Sequence, residues 1–426
     1  MRKILPILLV SALTLTAGLA QSHHHHDEHD GHDHSAHAHD THDAHGCACH
    51  EHHDETFEPA ATAFHHIGDA NAFHFFGNIY IPLPCVLYAP QQGLSFFMSS
   101  KFGKMDAHGT AKTAVDRYVM VDGSVMRVND TKFPAGEVAI ECVNHKTTKV
   151  DGKDVDQFEV VYKGECYPLD KRSTLDGGVL GGGITSFYDF SITKNVFTML
   201  LAFLLLFVLF RTAAKGYETR RGQAPKGIQS FLEPIFVFIR DEVAVPFLGH
   251  KYEKYLPFLM SIFFFILGLN LIGQIPFFPG SGNVTGNLAV TMALALFTFF
   301  VTNLSGNRHY WEHTLWMPGV PALLKVLILT PVEIMGLFIK PLTLMLRLFA
   351  NITGGHIVMV IFVGLIFIFG QSGANLGGGM VGTLMAVPLT MFMMALELLV
   401  ALVQAFVFCI LTASYIGAAI EEPHHH

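Results

Sequence analysis

Two apolar stretches near the carboxyl end, residues 322 to 369 and 381 to 420, limit this chain more than any other feature. As single helices they would measure about 72 and about 60 Å, against a hydrocarbon core of about 30 Å. They must therefore tilt steeply, break, or both. Pro331, Pro341, Gly354, Gly355 and Pro388 supply places to bend. Shorter apolar runs at Val196 to Phe210, Leu256 to Ile275 and Leu288 to Val301 bring the number of expected membrane helices to five. The segment from Gly227 to Ile239 mixes apolar residues with Glu233, ahead of Arg240, and suits an interfacial helix better than a span. The whole chain is 51% hydrophobic and 15% charged, with a mean hydropathy of +0.40 despite a polar first half.

Ionisable residues inside such runs are costly, so each one needs a reason. An arginine at the centre of a membrane helix costs about 2.5 to 3.5 kcal/mol on insertion scales, and such residues usually face a partner or a polar cavity. Arg347 lies in Pro-Leu-Thr-Leu-Met-Leu-Arg-Leu-Phe-Ala-Asn, residues 341 to 351. Its guanidinium stays charged at physiological pH, so it is suited to holding or releasing a carboxylate rather than to carrying a proton. Glu333, Lys340 and Arg347 recur every seven residues and form one stripe on a helix, which Asn351 extends by a turn. The bland reading of that stripe is a partly exposed helix with a solvated face. Glu397 and Gln404 are likewise seven apart on the last run. If the two helices run antiparallel with Arg347 near Gln404, His356 falls near Glu397, because rises of about 13.5 and about 10.5 Å nearly match. Such a pair titrates jointly and could relay a proton. Its bland alternative is a neutral histidine bonding a protonated glutamate as helix glue.

The run Lys340 to Asn351, with Gly354-Gly355-His356 after it and Leu402-Val-Gln404-Ala-Phe-Val-Phe408 further on, resembles subunit a of F-type ATP synthases. The resemblance covers roughly residues 191 to 420 and leaves most of the first 190 outside. It implies a stator channel working against a rotor ring of c subunits, with the b subunits of the peripheral stalk and the rest of the synthase as further partners. It also implies a fold whose last two helices are long and steeply inclined, and two half-channels. By this analogy a proton from outside passes His356, Glu397, Asn351 and Gln404 to a rotor carboxylate and leaves near Glu333, with Lys340 accessory and Arg347 as the barrier between the halves. In several bacterial members the acid follows the glycine of the first long helix and the histidine lies on the last; here the two are exchanged. An exchange that keeps both partners argues for pairing.

The amino-terminal half reads as exported. Arg2 and Lys3, an apolar run from Ile4 to Leu15 and small residues up to Ala20 form a signal peptide over residues 1–20. Residues 21–66 include a His/Asp/Ala tract with fourteen histidines between 23 and 53, expected to lack a core and to chelate metal only weakly, without a fixed site. Residues 67–190 read as a small β-rich domain and linker. Asp122-Gly123 closes a type I′ hairpin, Asp151-Gly152 repeats the signal, and Gly177-Gly178 with Gly181 to Gly183 reads as a linker into the membrane. Cys142 with Cys166 could form a disulfide, though connectivity cannot be deduced from sequence. Arg211, Lys215, Arg220, Arg221 and Lys226 follow the first run, so that side is expected to be cytoplasmic, with the amino-terminal region periplasmic and the carboxyl terminus inside.

The expected fold is therefore an all-α polytopic membrane protein with an exported small β-rich domain, the membrane domain spanning 191–426. No cofactor is expected. A net charge of −8 and the lack of a phosphate-binding glycine loop give no case for nucleic acid or for nucleotide chemistry on this chain. The histidine tract suggests a rival, a metal-ion transporter, but that function needs ligand sets inside the membrane, where the runs offer a single histidine. A ligand sensor with a mere anchor is a second rival, and an anchor has no use for Arg347 and Glu397.

Overall fold

The computed structural model describes residues 49, 68–76, 79–106, 109–150, 153–175, 177, 184–275, 282–315, 327, 329–370 and 375–422. The expected signal peptide, the histidine tract apart from Cys49, and the terminal histidines 424 to 426 lie outside the described residues. The described chain falls into two compact units, residues 68–194 and residues 195–422.

The first unit is built from antiparallel strands: β1 (Ala72–Phe76), β2 (Ile79–Pro82), β3 (Pro84–Ala89), β4 (Gly93–Met98), β5 (Thr113–Val115), β6 (Tyr118–Val121), β7 (Ser124–Arg127), β8 (Glu137–Ala139), β9 (Cys142–Val150), β10 (Lys153–Tyr162), β11 (Glu165–Pro168) and β12 (Tyr188–Asp189). β1 pairs with β2, and the other sheets run β12-β3-β4, β7-β6-β5-β8 and β11-β10-β9. The β6–β7 hairpin closes as expected. Asp122 and Gly123 have φ of +48° and +73°, the left-handed pair that a type I′ turn needs. β9 and β10 pair from Val150 and Lys153 outward, and the two turn residues between them are outside the described set. Alternation fills two cores, one around Leu87, Phe97, Phe102, Tyr118 and Phe187, the other around Val119, Phe133, Val160 and Tyr167.

Two expectations for this unit need correcting. Cys142 bonds Cys49, across a Cα–Cα distance of 6.0 Å, and not Cys166, which is itself disulfide-bonded. The partner lies in the polar tract, which spacing among the domain cysteines could not reveal. The glycine-rich stretch after Leu175, described only at Gly177, does not lead straight into the membrane: Gly177 bonds Thr174, and the chain returns as β12 alongside β3, so the β unit continues past it.

The second unit holds α1 (Lys194–Thr219), α2 (Ile228–Phe238), α3 (Val245–Leu248), α4 (Tyr252–Gly273), α5 (Leu288–Ser305), α6 (Arg308–Leu315), α7 (Thr330–Phe369) and α8 (Leu376–Ile420). Among the described residues, five segments are long and apolar enough to cross a membrane: α1, the run Ile228–Gly273, α5, α7 and α8. The mixed segment at Gly227 to Ile239 is α2, with Gln229 and Leu232 buried and Phe231, Phe236 and Phe238 exposed. It continues through a π-helical turn into α3 until Gly249, at φ +52°, turns the chain.

α7 and α8 are unbroken over 40 and 45 residues, with Pro341 and Pro388 inside them. Of the options open in the sequence, breaking is not taken. Helices of about 60 and about 68 Å fit a hydrocarbon core of about 30 Å only when strongly inclined. They form an antiparallel hairpin, because Ile366, Gly355 and Lys340 meet Gly382, Glu397 and Tyr415 in reverse order. The last carbonyls of α8 are satisfied by α6's leading loop: Asn307 donates from its backbone to Ala419 O (3.0 Å) and from its side chain to Ile420 O (3.0 Å). Lys251 adds a bond to Ile420 O and an ion pair to Glu422 at 2.6 Å, placing positive charge at the negative end of the helix dipole.

Candidate functional site

The hairpin brings His356 and Glu397 together. Nδ1 of the imidazole lies 3.0 Å from Oε1 of the carboxylate, the pairing that matched rises had anticipated. Glu397 is only 4% exposed, and among the described residues neither of its oxygens has a hydrogen bond of good geometry despite that short separation. The distance is therefore that of a pair and the alignment is not. A buried acid and a base at this separation can hold one proton between them on either atom.

Gly355, next to His356, is what lets the acid in. A Cβ built there would stand 3.0 Å from Oε1 and 3.4 Å from both Cγ and Cδ of Glu397. In the sequence this glycine read only as a place to bend. α7 does not break there, and the glycine instead provides the floor on which the carboxylate lies.

Around this pair the structure assembles polar residues that sequence reasoning missed. Buried Asn270 of α4 donates to Ala401 O of α8, one turn beyond Glu397, and accepts from the Thr285 hydroxyl at 2.7 Å. Thr353, one turn before His356, donates to Gly286 O at 3.4 Å. The loop between α4 and α5 thus folds its buried Asn283, Thr285 and Asn287 onto the end of the hairpin that holds the pair. Their only signal in the sequence was a polar run, Ser-Gly-Asn-Val-Thr-Gly-Asn, at residues 281 to 287 between two apolar helices.

A second polar layer lies toward the other end of the hairpin. Thr298, Thr302, Asn303, Tyr310, Lys340 and Tyr415 line a pocket there. The Lys340 ammonium stands 5.6 Å from the centre of the Tyr415 ring, and the buried hydroxyls of Thr298 and Thr302 have no hydrogen-bond partner among the described residues. Tyr310, on the short α6, bonds Asn303, and burial together with the nearby Glu333 carboxylate pushes its phenol above the usual range. Glu333 itself is half-buried.

Arg347 stands between the two layers, about 13.5 Å of helix from His356 and about 10.5 Å from Lys340. It is half-buried and makes no hydrogen bond or ion pair among the described residues. Gln404 is buried, whereas Asn351 is exposed one turn beyond Arg347. The surrounding hairpin surface is bare and apolar, with Leu342, Leu346, Leu399, Leu402 and Val403 between 43% and 57% exposed. The arrangement leaves a fixed positive charge at an open apolar flank.

Comparison with known proteins matches residues 196–417 to the ATP synthase A chain family and residues 62–154 to a domain of unknown function. ATP synthase subunit a of Chloroherpeton thalassium is 40% identical over 245 residues, covering 56% of this chain and 69% of the relative. The subunit a of Myxococcus xanthus is 39% identical over 281 residues, covering 64% and 86%. That of Anaeromyxobacter dehalogenans is 40% identical over 285 residues, covering 63% and 69%.

Proposed function

The chain belongs to the ATP synthase A chain family, and from that premise we propose that it conducts protons through two half-channels to and from the c ring of an F-type ATP synthase. The observation that carries this reading is Arg347, a permanent cation at an open apolar flank with no carboxylate of its own among the described residues. A rotor carboxylate arriving at that flank finds a guanidinium that favours its ionised form. It releases its proton on one side of Arg347 and takes another on the other.

The inlet is the layer around His356 and Glu397, roofed by Asn270, Thr285 and Thr353, with Asn351 and Gln404 handing the proton on. The outlet is the pocket at Lys340, Tyr310 and Thr302, opening past Glu333. The charge of Arg347 separates the two and opposes direct passage of a proton. Each charge moved down the membrane potential supplies about 2.3 kcal/mol per 100 mV, the energy that turns the ring. The chain performs no bond chemistry on nucleotide; that belongs to other subunits. The peripheral-stalk b subunits hold it still, and its membrane is the bacterial inner membrane, with the amino-terminal region periplasmic and the carboxyl terminus in the cytoplasm.

Cysteine cross-linking in the assembled complex tests the rotor assignment. Val403→Cys, beside Gln404 on the exposed flank, should form a disulfide with a cysteine placed next to the c-subunit carboxylate. ATP hydrolysis before oxidation should redistribute the cross-link among c subunits. An assembled complex that gives no such adduct at either Val403→Cys or Leu346→Cys would exclude this flank as the rotor surface.

A further inference from the structure

We infer that the outer face of the β12-β3-β4 sheet rests on the lipid bilayer, in the interfacial region that surrounds the first membrane helix. β3 points Cys85, Leu87 and Ala89 into the core and Pro84, Val86 and Tyr88 outward. β4 sends Leu94, Phe96 and Met98 out on the same side, opposite Tyr88, Val86 and Pro84. Beside β3 on its other edge the chain carries Tyr188 and Phe190 outward, alternating with buried Asp189 and Ser191. Leu94 is 68% and Phe96 70% exposed, and Tyr88, Met98, Tyr188 and Phe190 are exposed too. Among the described residues these outward positions carry no charged side chain, while the opposite face already fills the core of the unit. A contiguous apolar surface of this kind on a folded domain marks an interface with a partner or a membrane.

The occupant follows from where the strand leads. After β12 the chain stays bonded to its neighbours, Phe190 N–H to Val86 O and Ile192 N–H to Pro84 O, and then Lys194 N–H to Ala70 O. Lys194 is also the first residue of α1, a membrane-length helix. Phe190 is thus four residues from the start of a span, at most about 14 Å of extended chain. Tyrosine and phenylalanine mixed with leucine and methionine suit the headgroup and upper acyl region, where rings with a polar tip are enriched. The surface adds a lipid contact to a unit whose sequence otherwise reads as water-exposed.

The test uses the full chain, assembled with its native partners in nanodiscs of phosphatidylcholine and phosphatidylglycerol. Phe96, or separately Phe190, is replaced by p-benzoylphenylalanine, which keeps the ring and adds a para-benzoyl group that an exposed site can take, and Glu137 on exposed β8 serves as the control position. Irradiation should give lipid adducts at 96 and 190, several-fold above those at 137, read by mass spectrometry of the digested chain. Cross-links from 96 or 190 to another subunit or to a second copy of the chain would overturn the proposal, since they would show a protein on this face. A lipid yield at 96 and 190 no higher than at 137 would overturn it as well.

Discussion

Gly355→Ala separates the proposed role of this glycine from the ordinary weakness of glycine in helices. An added Cβ would meet Glu397 Oε1 at 3.0 Å, and Cγ and Cδ at 3.4 Å, so the carboxylate has to give way by a few tenths of an ångström. Overpacking of this kind costs about 1 to 3 kcal/mol, offset by about 1 kcal/mol of better helix propensity. Stability should therefore fall by about 0 to 2 kcal/mol. Gly354 is the control, because a Cβ there meets nothing within 4 Å, so Gly354→Ala should gain about 1 kcal/mol in melting of the purified complex. The displaced acid moves relative to His356, now 3.0 Å away, and ATP-driven acidification of vesicles should slow by on the order of tenfold, about 1.4 kcal/mol of barrier. If Gly355→Ala melts like Gly354→Ala and pumps at the wild-type rate, the carboxylate is not held where the geometry puts it.

Further outcomes follow from the same geometry. Arg347→Lys should assemble but lose coupled ATP synthesis in vesicles, because a compact, strongly hydrated ammonium does not replace a guanidinium at a desolvated site; near-normal synthesis would count against the role given to Arg347. His356→Glu and Glu397→His should each impair pumping, whereas the double exchange, which restores one acid and one imidazole at the same place, should recover much of it. A double variant no better than the worse single would mean that the two do not act as a pair. Cys142→Ser should lower the melting temperature of the β unit, since a cross-link spanning 93 residues removes about 4 to 5 kcal/mol of unfolded-chain entropy in the loop model; equal melting with and without the bond would refute that account. Deleting residues 23–45, which spares Cys49, should leave ATP-driven acidification unchanged at matched assembly.

The sequence was most legible where a single helical period decides the outcome. Arg347, His356, Glu397 and Gln404 lie on two long helices, so their spacing predicts that His356 and Glu397 meet once the helices run antiparallel with Arg347 set near Gln404, and that pair does meet. The type I′ hairpin was legible for a similar reason, since Asp122-Gly123 admits few backbone solutions. What could not be read depended on groups brought together by loops. Asn270, Thr285 and Thr353 converge only because the 282–287 loop folds back on the hairpin, and no periodicity encodes that. Cys49 was hidden for another reason. A polar tract without a core gives no sign that its end is fastened to β9. Gly355 shows a limit of reading glycine as a hinge, because its missing side chain serves a neighbour on another helix.

The bare flank around Arg347 also bears on friction. Leucine and valine side chains offer attraction without direction, so a helix sliding past them passes from one position to the next over a nearly level surface. A flank studded with hydrogen-bonding groups would instead present a well at every step, each to be climbed before the next. In the proposed function this apolar surface would act as a bearing, and the strongest feature along its middle would be the charge of Arg347. That charge would set where a moving carboxylate pauses, and the surface on either side would leave it free to go on.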